Sequence, residues 1–347
     1  MDIQQLLRIS NERSASDLHI TVGAPPMLRI DGQLQAHGVM ALTPAMTTEM
    51  MCQVMTEEQF EKVKRKKELD FAFDLQGVSR FRISAFRQRG CWSLAIRIVP
   101  TAIPTIDELG LPQVLRQFAH KSQGLLLITG PTGSGKSTTL ASIVDYINQS
   151  AKKHVITLED PIEYMHIHGQ SVINQREIGQ DTRSFATGLR AALRQDPDVI
   201  LVGEMRDIET VATAVSAAET GHLVLATLHT IDAPQTINRI VDFFSGNQQQ
   251  QIRIQLASVL IGVVSQRLLP RESYRGRVLV SEILINTSAV ANLIRSDKIH
   301  QIRNVMQTGK IHGMQTLDMV LRESLSRGDI SERTASEASQ SGTDNRV

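Results

Sequence analysis

Residues 130–137 read Gly-Pro-Thr-Gly-Ser-Gly-Lys-Ser, and no other run limits the possible folds of this chain so strongly. The pattern G-x-x-x-x-G-K-[ST] needs a strand before it, a turn only glycine can make, and a helix after it. Both neighbours are present: Leu125–Thr129 is an apolar strand, and Ser137 to Tyr146 is compatible with a helix. The glycines let backbone N–H groups close around an anion at a helix N-terminus, which already favours negative charge. Lys136 is then placed to reach the β- and γ-phosphates of a nucleoside triphosphate, and the Ser137 hydroxyl to hold Mg²⁺. The candidate nucleotide-binding residues are Gly130, Pro131, Thr132, Gly133, Ser134, Gly135, Lys136, Ser137 and Thr138.

A site of this kind needs an acid near the metal. Asp198-Val-Ile-Leu-Val-Gly-Glu204 supplies four apolar residues followed by Gly203 and Glu204, so the acid stands one residue beyond the usual position. Leu158-Glu-Asp-Pro-Ile-Glu163 is a second acidic cluster, at the end of the strand after the phosphate-loop helix. Hydrolysis needs a carboxylate to orient and deprotonate water, and Glu159, Asp160 and Glu163 all qualify. Phe185 to Arg194 reads as an amphipathic helix ending before Pro197. Arg190 and Arg194, four apart, share one face of it and suit phosphates, a neighbouring subunit or plain solvation alike. His222 and His229 bracket a further buried strand; seven residues apart, they are poorly spaced for one metal ion. A polar residue ending the strand beside the phosphate-loop strand is placed to sense a γ-phosphate.

The 347 residues are enough for two or three domains. Residues 1–100 read as a small α+β domain, with strands at Leu18–Val22, Met27–Ile30 and Phe71–Phe73 and helices after Thr43, a plausible N-cap. Arg80–Ile83 and Trp92–Ile98 alternate with period two around Arg87–Gly90, which predicts a hairpin. Phe81, Ile83, Trp92, Leu94, Ile96 and Ile98 then face inward, with Arg80, Arg82 and Arg97 outward. Between Asp74 and Asp107 there are five arginines, no lysine and no acid, a strip suited to forked contacts with phosphate or carboxylate. Lys62–Lys67 reads as a solvated helix face.

Prolines at 100, 104 and 112 make 101–113 a linker. Beyond it, strands at Leu125–Thr129, Val155–Leu158, Val199–Val202 and Leu223–Ala226 alternate with helical patterns, which predicts a mainly parallel sheet flanked by helices. The expected divisions are a core over 114–285, a helical C-terminal part over 286–330, and a disordered tail over 331–347. Helical character is expected throughout from Gln248 to about Gly328.

The net charge of +1 argues against a nucleic-acid protein held by bulk electrostatics. With one Trp and three Tyr there is little platform for stacking bases, so a nucleic-acid translocase is the weaker reading. Cys52 and Cys91 form no CxxC pair, so no zinc site is expected. The N-terminus lacks the long apolar core of a signal peptide, and no apolar run approaches a membrane span. A soluble, intracellular chain is expected.

Taken together, GPTGSGKST, LEDPIEY, LRAALRQDPDVILVGEMRD and HLVLATLHT resemble the secretion ATPases of type IV pili and type II secretion. Ser16–Ile20 and Gln249–Leu256 extend the resemblance over nearly the whole chain to about residue 325. Within that family the chain is most similar to the retraction members, because it lacks the longer N-terminus and tetracysteine motif of assembly and secretion members. The resemblance implies a PAS-like N-terminal domain, a RecA-like ATPase domain and a homohexameric ring. It implies ATP and Mg²⁺ as cofactors, with the chain cytoplasmic, peripheral at the inner membrane, and acting on a pilus platform protein there. Arg82 and Arg97 are then candidates to touch ATP from the N-terminal domain, with Arg190 and Arg194 on the phosphate-loop side. It points to Glu163 as the base for water and Glu204 as the metal-side acid, with Lys136 catalytic and His222 and His229 in the family's histidine box. One stretch departs from it. Retraction members carry A-I-R-N-L-I-R-E where this chain has Ala289-Val-Ala-Asn-Leu-Ile-Arg-Ser296, so Ala291 and Ser296 replace an Arg and a Glu.

Overall fold

The computed structural model describes residues 2–30, 32–100, 102–272 and 276–340. Its contacts divide the chain into two compact units, Met1–Ala102 with Glu163–Met165, and Ile103–Ile162 with His166–Val347.

The first unit is an antiparallel sheet of six strands: β1 (Asp17–Ile20), β2 (Met27–Ile30), β3 (Gln33–Ala36), β4 (Glu68–Leu75), β5 (Ser79–Gln88) and β6 (Cys91–Val99). Their order is β3-β2-β1-β6-β5-β4. The β5–β6 hairpin closes through Arg89 and Gly90, whose φ of 49° and 78° put both turn residues in the left-handed region, the backbone that two-residue hairpins favour. Alternation then assigns the faces. Phe81, Ile83, Leu94 and Ile96 are buried with Leu7, Met50 and Met51 from the helices Ile3–Glu12 and Pro44–Val54. Thr43 caps the second of these, accepting from the Met46 N–H at 3.4 Å.

The opposite face carries the arginines, and here the acid-free strip is not acid-free in space. Register aligns Arg29, Asp17, Arg97 and Arg82 in one row across β2, β1, β6 and β5. Asp17 accepts from Arg97 Nε at 3.1 Å and lies 3.8 Å from Arg29. Arg80 does not reach freely outward: its side chain is 13% exposed and pairs with Asp74 of β4 at 2.8 Å. A window of sequence cannot see an acid supplied by the strand next door.

The second unit holds β7 (Gly124–Thr129), β8 (His154–Glu159), β9 (Val172–Glu177), β10 (Val199–Val202), β11 (Leu223–Leu228), β12 (Leu260–Pro270) and β13 (Arg277–Ile285). The order is β13-β12-β7-β11-β10-β8-β9, parallel throughout except that β13 runs antiparallel at the edge. Strands in the middle of such a sheet are buried on both faces, so they read as unbroken apolar runs. Leu125 and Leu127 of β7 enter one core, Leu126 and Ile128 the other.

Two expectations fail in this unit. Gln248–Gly328 is not wholly helical, because after the helix Gly246–Val259 the chain forms β12 and β13. The run Leu-Ile-Gly-Val-Val at 260–264 is apolar on both sides, and periodicity cannot tell a doubly buried strand from a buried helix. Nor is the tail structureless from 331 onward. Glu332–Gln340 is a helix with Ala338 buried and its carbonyl accepting from Arg267 at 2.6 Å. The remainder of the expected tail, 341–347, lies outside the described residues.

Phe81 is fully buried while Arg82 beside it is exposed. Phe81→Ala is expected to cost about 3–5 kcal/mol through the cavity it leaves, and Arg82→Ala no more than about 0.5 kcal/mol. Scanning calorimetry of the two variants checks this; equal shifts would contradict the assignment of faces.

Candidate active site

The phosphate loop leaves the C-terminal end of β7, near the middle of the sheet. Gly130, Gly133 and Gly135 have φ of 141°, 78° and 90°, values that disfavour any side chain. Gly130 is the tightest, since a Cβ there would lie 2.3 Å from the Gln266 carbonyl oxygen of β12. The helix Lys136–Ser150 starts directly after Gly135 with no side-chain cap, so its first N–H groups are left facing the loop. Lys136 Nζ donates to the carbonyls of Gly130 at 2.7 Å and Pro131 at 3.1 Å. The ammonium is thereby held over the loop, a cation poised where an anion would sit.

Glu204 follows β10 and His229 follows β11, and β11 lies between β10 and β7. His229 Nε2 is 3.0 Å from one Glu204 carboxylate oxygen, and Arg206 donates to the other at 2.6 Å. Burial alone would raise the Glu204 pKa. Hydrogen bonds from Arg206 and His229, with their charges, outweigh it and hold the carboxyl below its usual 4.5. Beside them opens a cavity of about 360 Å³, lined among others by Gln235, Arg239 and Phe243.

His222 is not part of this site. It precedes β11, its Nδ1 lying 3.0 Å from the Ala217 carbonyl oxygen. His222 and His229 flank β11, seven residues apart, which puts them about 23 Å from each other at roughly 3.3 Å per residue. The two histidines of the box therefore stand at opposite ends of β11.

The acidic cluster also separates. Glu159 accepts from Thr157 Oγ1 at 2.6 Å and Gln175 Nε2 at 3.1 Å, a carboxylate held by its own strand and the next. Asp160 is exposed, while Glu163 is exposed and groups with the first unit. Arg190 is ion-paired with Glu209, and Arg194 donates to the Arg190 carbonyl at 3.2 Å. Arg82 and Arg97 lie in the first unit, side by side in the row described above.

Ser137 is exposed in the first helical turn, and Glu204 is an ionised carboxylate. These are hard oxygen donors, the kind Mg²⁺ takes. Among the described residues no cluster of three or more His, Cys, Asp or Glu is arranged to hold a metal.

Nothing in the residue spacing marks Arg206, Ser265 or Gln266. Arg206 comes two residues after Glu204 and turns back onto it, while Ser265 and Gln266 reach the loop only because β12 pairs with β7.

A parallel sheet with a glycine-rich lysine loop at the end of a central strand, and an ionised carboxylate two strands away, defines a P-loop nucleotide-hydrolysing fold. Residues 2–333 match the type II/IV secretion system protein family, and the chain belongs to that family. It is 44% identical to the type IV pilus retractation ATPase PilT of Pseudomonas aeruginosa, over 97% of this chain and 98% of that protein. It is 40% identical to the type IV pilus ATPase PilU of the same organism, over 100% of this chain and 91% of that one. A crystal structure of the pilus retraction motor PilT with bound ADP superposes with a TM-score of 0.89 at 49% identity, covering 97% of each chain.

Because the Glu204 pKa is depressed, its ionised form stabilises the fold above its unfolded value, and that contribution is lost as pH falls through the folded value below 4.5. Arg206→Ala removes the largest of the opposing hydrogen bonds and moves that loss to higher pH. Acid unfolding followed by circular dichroism should show a raised midpoint for the variant. An unmoved midpoint would show that Arg206 does not hold the carboxylate ionised.

Proposed function

We propose that this chain is the ATP-hydrolysing motor that retracts type IV pili. The observation that carries the reading is the phosphate loop with Lys136 held over it, in a chain similar end to end to a retraction ATPase. The ADP bound in the related motor's structure supports nucleotide binding. The residues Gly130 to Thr138 cradle the phosphates of ATP through backbone N–H groups, and Lys136 neutralises the charge that develops on them. Ser137 and Glu204 would hold Mg²⁺, which would supply positive charge to offset that of the phosphates.

Glu163 orients and deprotonates the attacking water. Of the three candidates in its cluster, Glu159 is held by two hydrogen bonds, while Glu163 is exposed. His229 keeps Glu204 oriented and senses the γ-phosphate from the strand next to the loop. Arg82 and Arg97 bring positive charge from a PAS-like N-terminal domain to the nucleotide of a RecA-like core. Arg190 and Arg194 serve the contact between neighbouring subunits. We read the assembly as a homohexamer in the cytoplasm, at the periphery of the inner membrane, driving a pilus platform protein there. Among the described residues no helix is long and apolar enough to cross a membrane.

The experiment that tests the reading is complementation of a strain deleted for this gene. Loss of the gene should give excess pili without twitching, and the wild-type gene should restore movement. Loss of pili in the deletion strain would instead make this an assembly motor, and ATPase stimulation by DNA with a steep salt dependence would favour a nucleic-acid translocase.

Glu163→Gln should abolish phosphate release while leaving ATP bound. Lost binding of a fluorescent ATP analogue by that variant would contradict its role as base.

A further inference from the structure

We propose that Ser265 and Gln266, consecutive on β12, brace the phosphate loop from both sides, and that Gln266 is a positioning residue for nucleotide binding. The proposal rests on the reading of that loop as the ATP site. β12 pairs in parallel with β7, with Ser265 opposite Thr129, the last residue before the loop. Their hydroxyls meet at 2.8 Å, and both residues are buried. One residue on, Gln266 points to the other face of the sheet, where Nε2 donates at 2.8 Å to Oγ1 of Thr139. Thr139 lies in the helix that follows the loop, one residue past Thr138, and both partners are buried. The chain is therefore held just before Gly130 and just after Thr138 by adjacent residues of a strand that belongs to neither segment. Between these two points the Gln266 carbonyl lies against Gly130, leaving no room for a Cβ.

Packing alone does not account for a glutamine here. Gln266 is 1% exposed, and its Oε1 is buried with no hydrogen-bond partner. A buried amide oxygen left unpaired is a standing cost, which leucine in the same space would not incur. The residue is placed for the one bond that its nitrogen makes, and that bond ends on the helix whose N-terminus faces the phosphates. The loop's backbone donors must stand a fixed distance apart to close around an anion, so loosening either end weakens binding before it touches chemistry.

The test is steady-state ATPase kinetics and titration with a fluorescent ATP analogue, on the full chain with Mg²⁺. Gln266→Leu and Thr139→Val should each raise KM and Kd for ATP about five- to tenfold, the size expected for one buried hydrogen bond. The kcat should stay within about twofold. Because both changes break the same contact, the double variant should be no worse than the weaker-binding single. Thr139→Ser, which keeps the hydroxyl, should restore the wild-type KM. Unchanged KM and Kd in both singles, effects that multiply in the double variant, or a fall in kcat at unchanged KM would each overturn the brace. If Gln266→Leu does not fold, the contrast between Thr139→Val and Thr139→Ser decides alone. Lys136→Ala separates the two levels of the argument. Wild-type ATP affinity in that variant would remove the loop reading itself, whereas weakened binding there with inert Gln266 and Thr139 variants would remove only the brace.

Discussion

The close approach of β12 to Gly130 is the contact on which the rest of the catalytic unit depends. A phosphate loop can present its N–H groups only if the strand before it and the helix after it are held in register. Glycine at 130 lets the backbone of β12 come close enough to do this. The same strand continues toward the C-terminal part, where Arg267 bonds to the carbonyl of Ala338 in the last described helix. Its partner β13 carries Glu282, which accepts from the Ala233 N–H at 2.9 Å and from the Leu317 N–H at 3.4 Å. Burial pushes the Glu282 pKa up, the two N–H bonds oppose that, and Arg303 lies 3.5 Å from neighbouring Asp232. The helix Ala233–Asp242 that these groups anchor begins four residues after His229. A contiguous chain of packed and hydrogen-bonded groups therefore joins the C-terminal helices to both the loop and the histidine. Contiguity alone does not make a switch, but it is the material from which one can be built.

The near-neutral chain resolves locally into two kinds of charge. Some pairs are spent on holding the fold, as Arg80 with Asp74 and Arg190 with Glu209. Others are arranged around one partly buried carboxylate, as Arg206 and His229 around Glu204. The row Arg29–Asp17–Arg97–Arg82 sits between these cases. One acid faces three arginines, so the row carries uncompensated positive charge, and within it Arg82 lies farthest from Asp17. That surplus lies on the sheet face opposite the buried core of the first unit.

How much of this could be read from residues alone depended on whether the determinant was local. The loop was legible because strand, glycines and helix start lie within fifteen residues and each follows from backbone constraint. The β5–β6 hairpin was legible for the same reason, through strict alternation and a tight turn. By contrast β12 and β13 were missed because a strand buried on both faces has no period of its own. His222 joined His229 only through the family resemblance, whereas their positions bracketing β11 already set them at its two ends. Arg206 and Gln266 were invisible because their partners come from elsewhere in the fold.

The departure at Ala289–Ser296 can be weighed on the same terms. These residues form the helix Ser288–Arg295 with Thr287 as its cap, and Val290, Ala291 and Ile294 are buried in the core shared with the helix Gly246–Val259. Ser296 closes the helix by donating its hydroxyl to the Asn292 carbonyl at 2.7 Å. None of the groups placed at the loop, at Glu204 or in the arginine row comes from this helix. A buried alanine where retraction members have arginine fills the core without asking for a counter-ion, so the local fold accommodates the change. The helix Gly246–Val259 that it packs on runs directly into β12. The box therefore meets the phosphate loop through the strand that braces it, and the Glu204 and His229 end of the sheet through the core that Val290, Ala291 and Ile294 share with Met205 and Leu228.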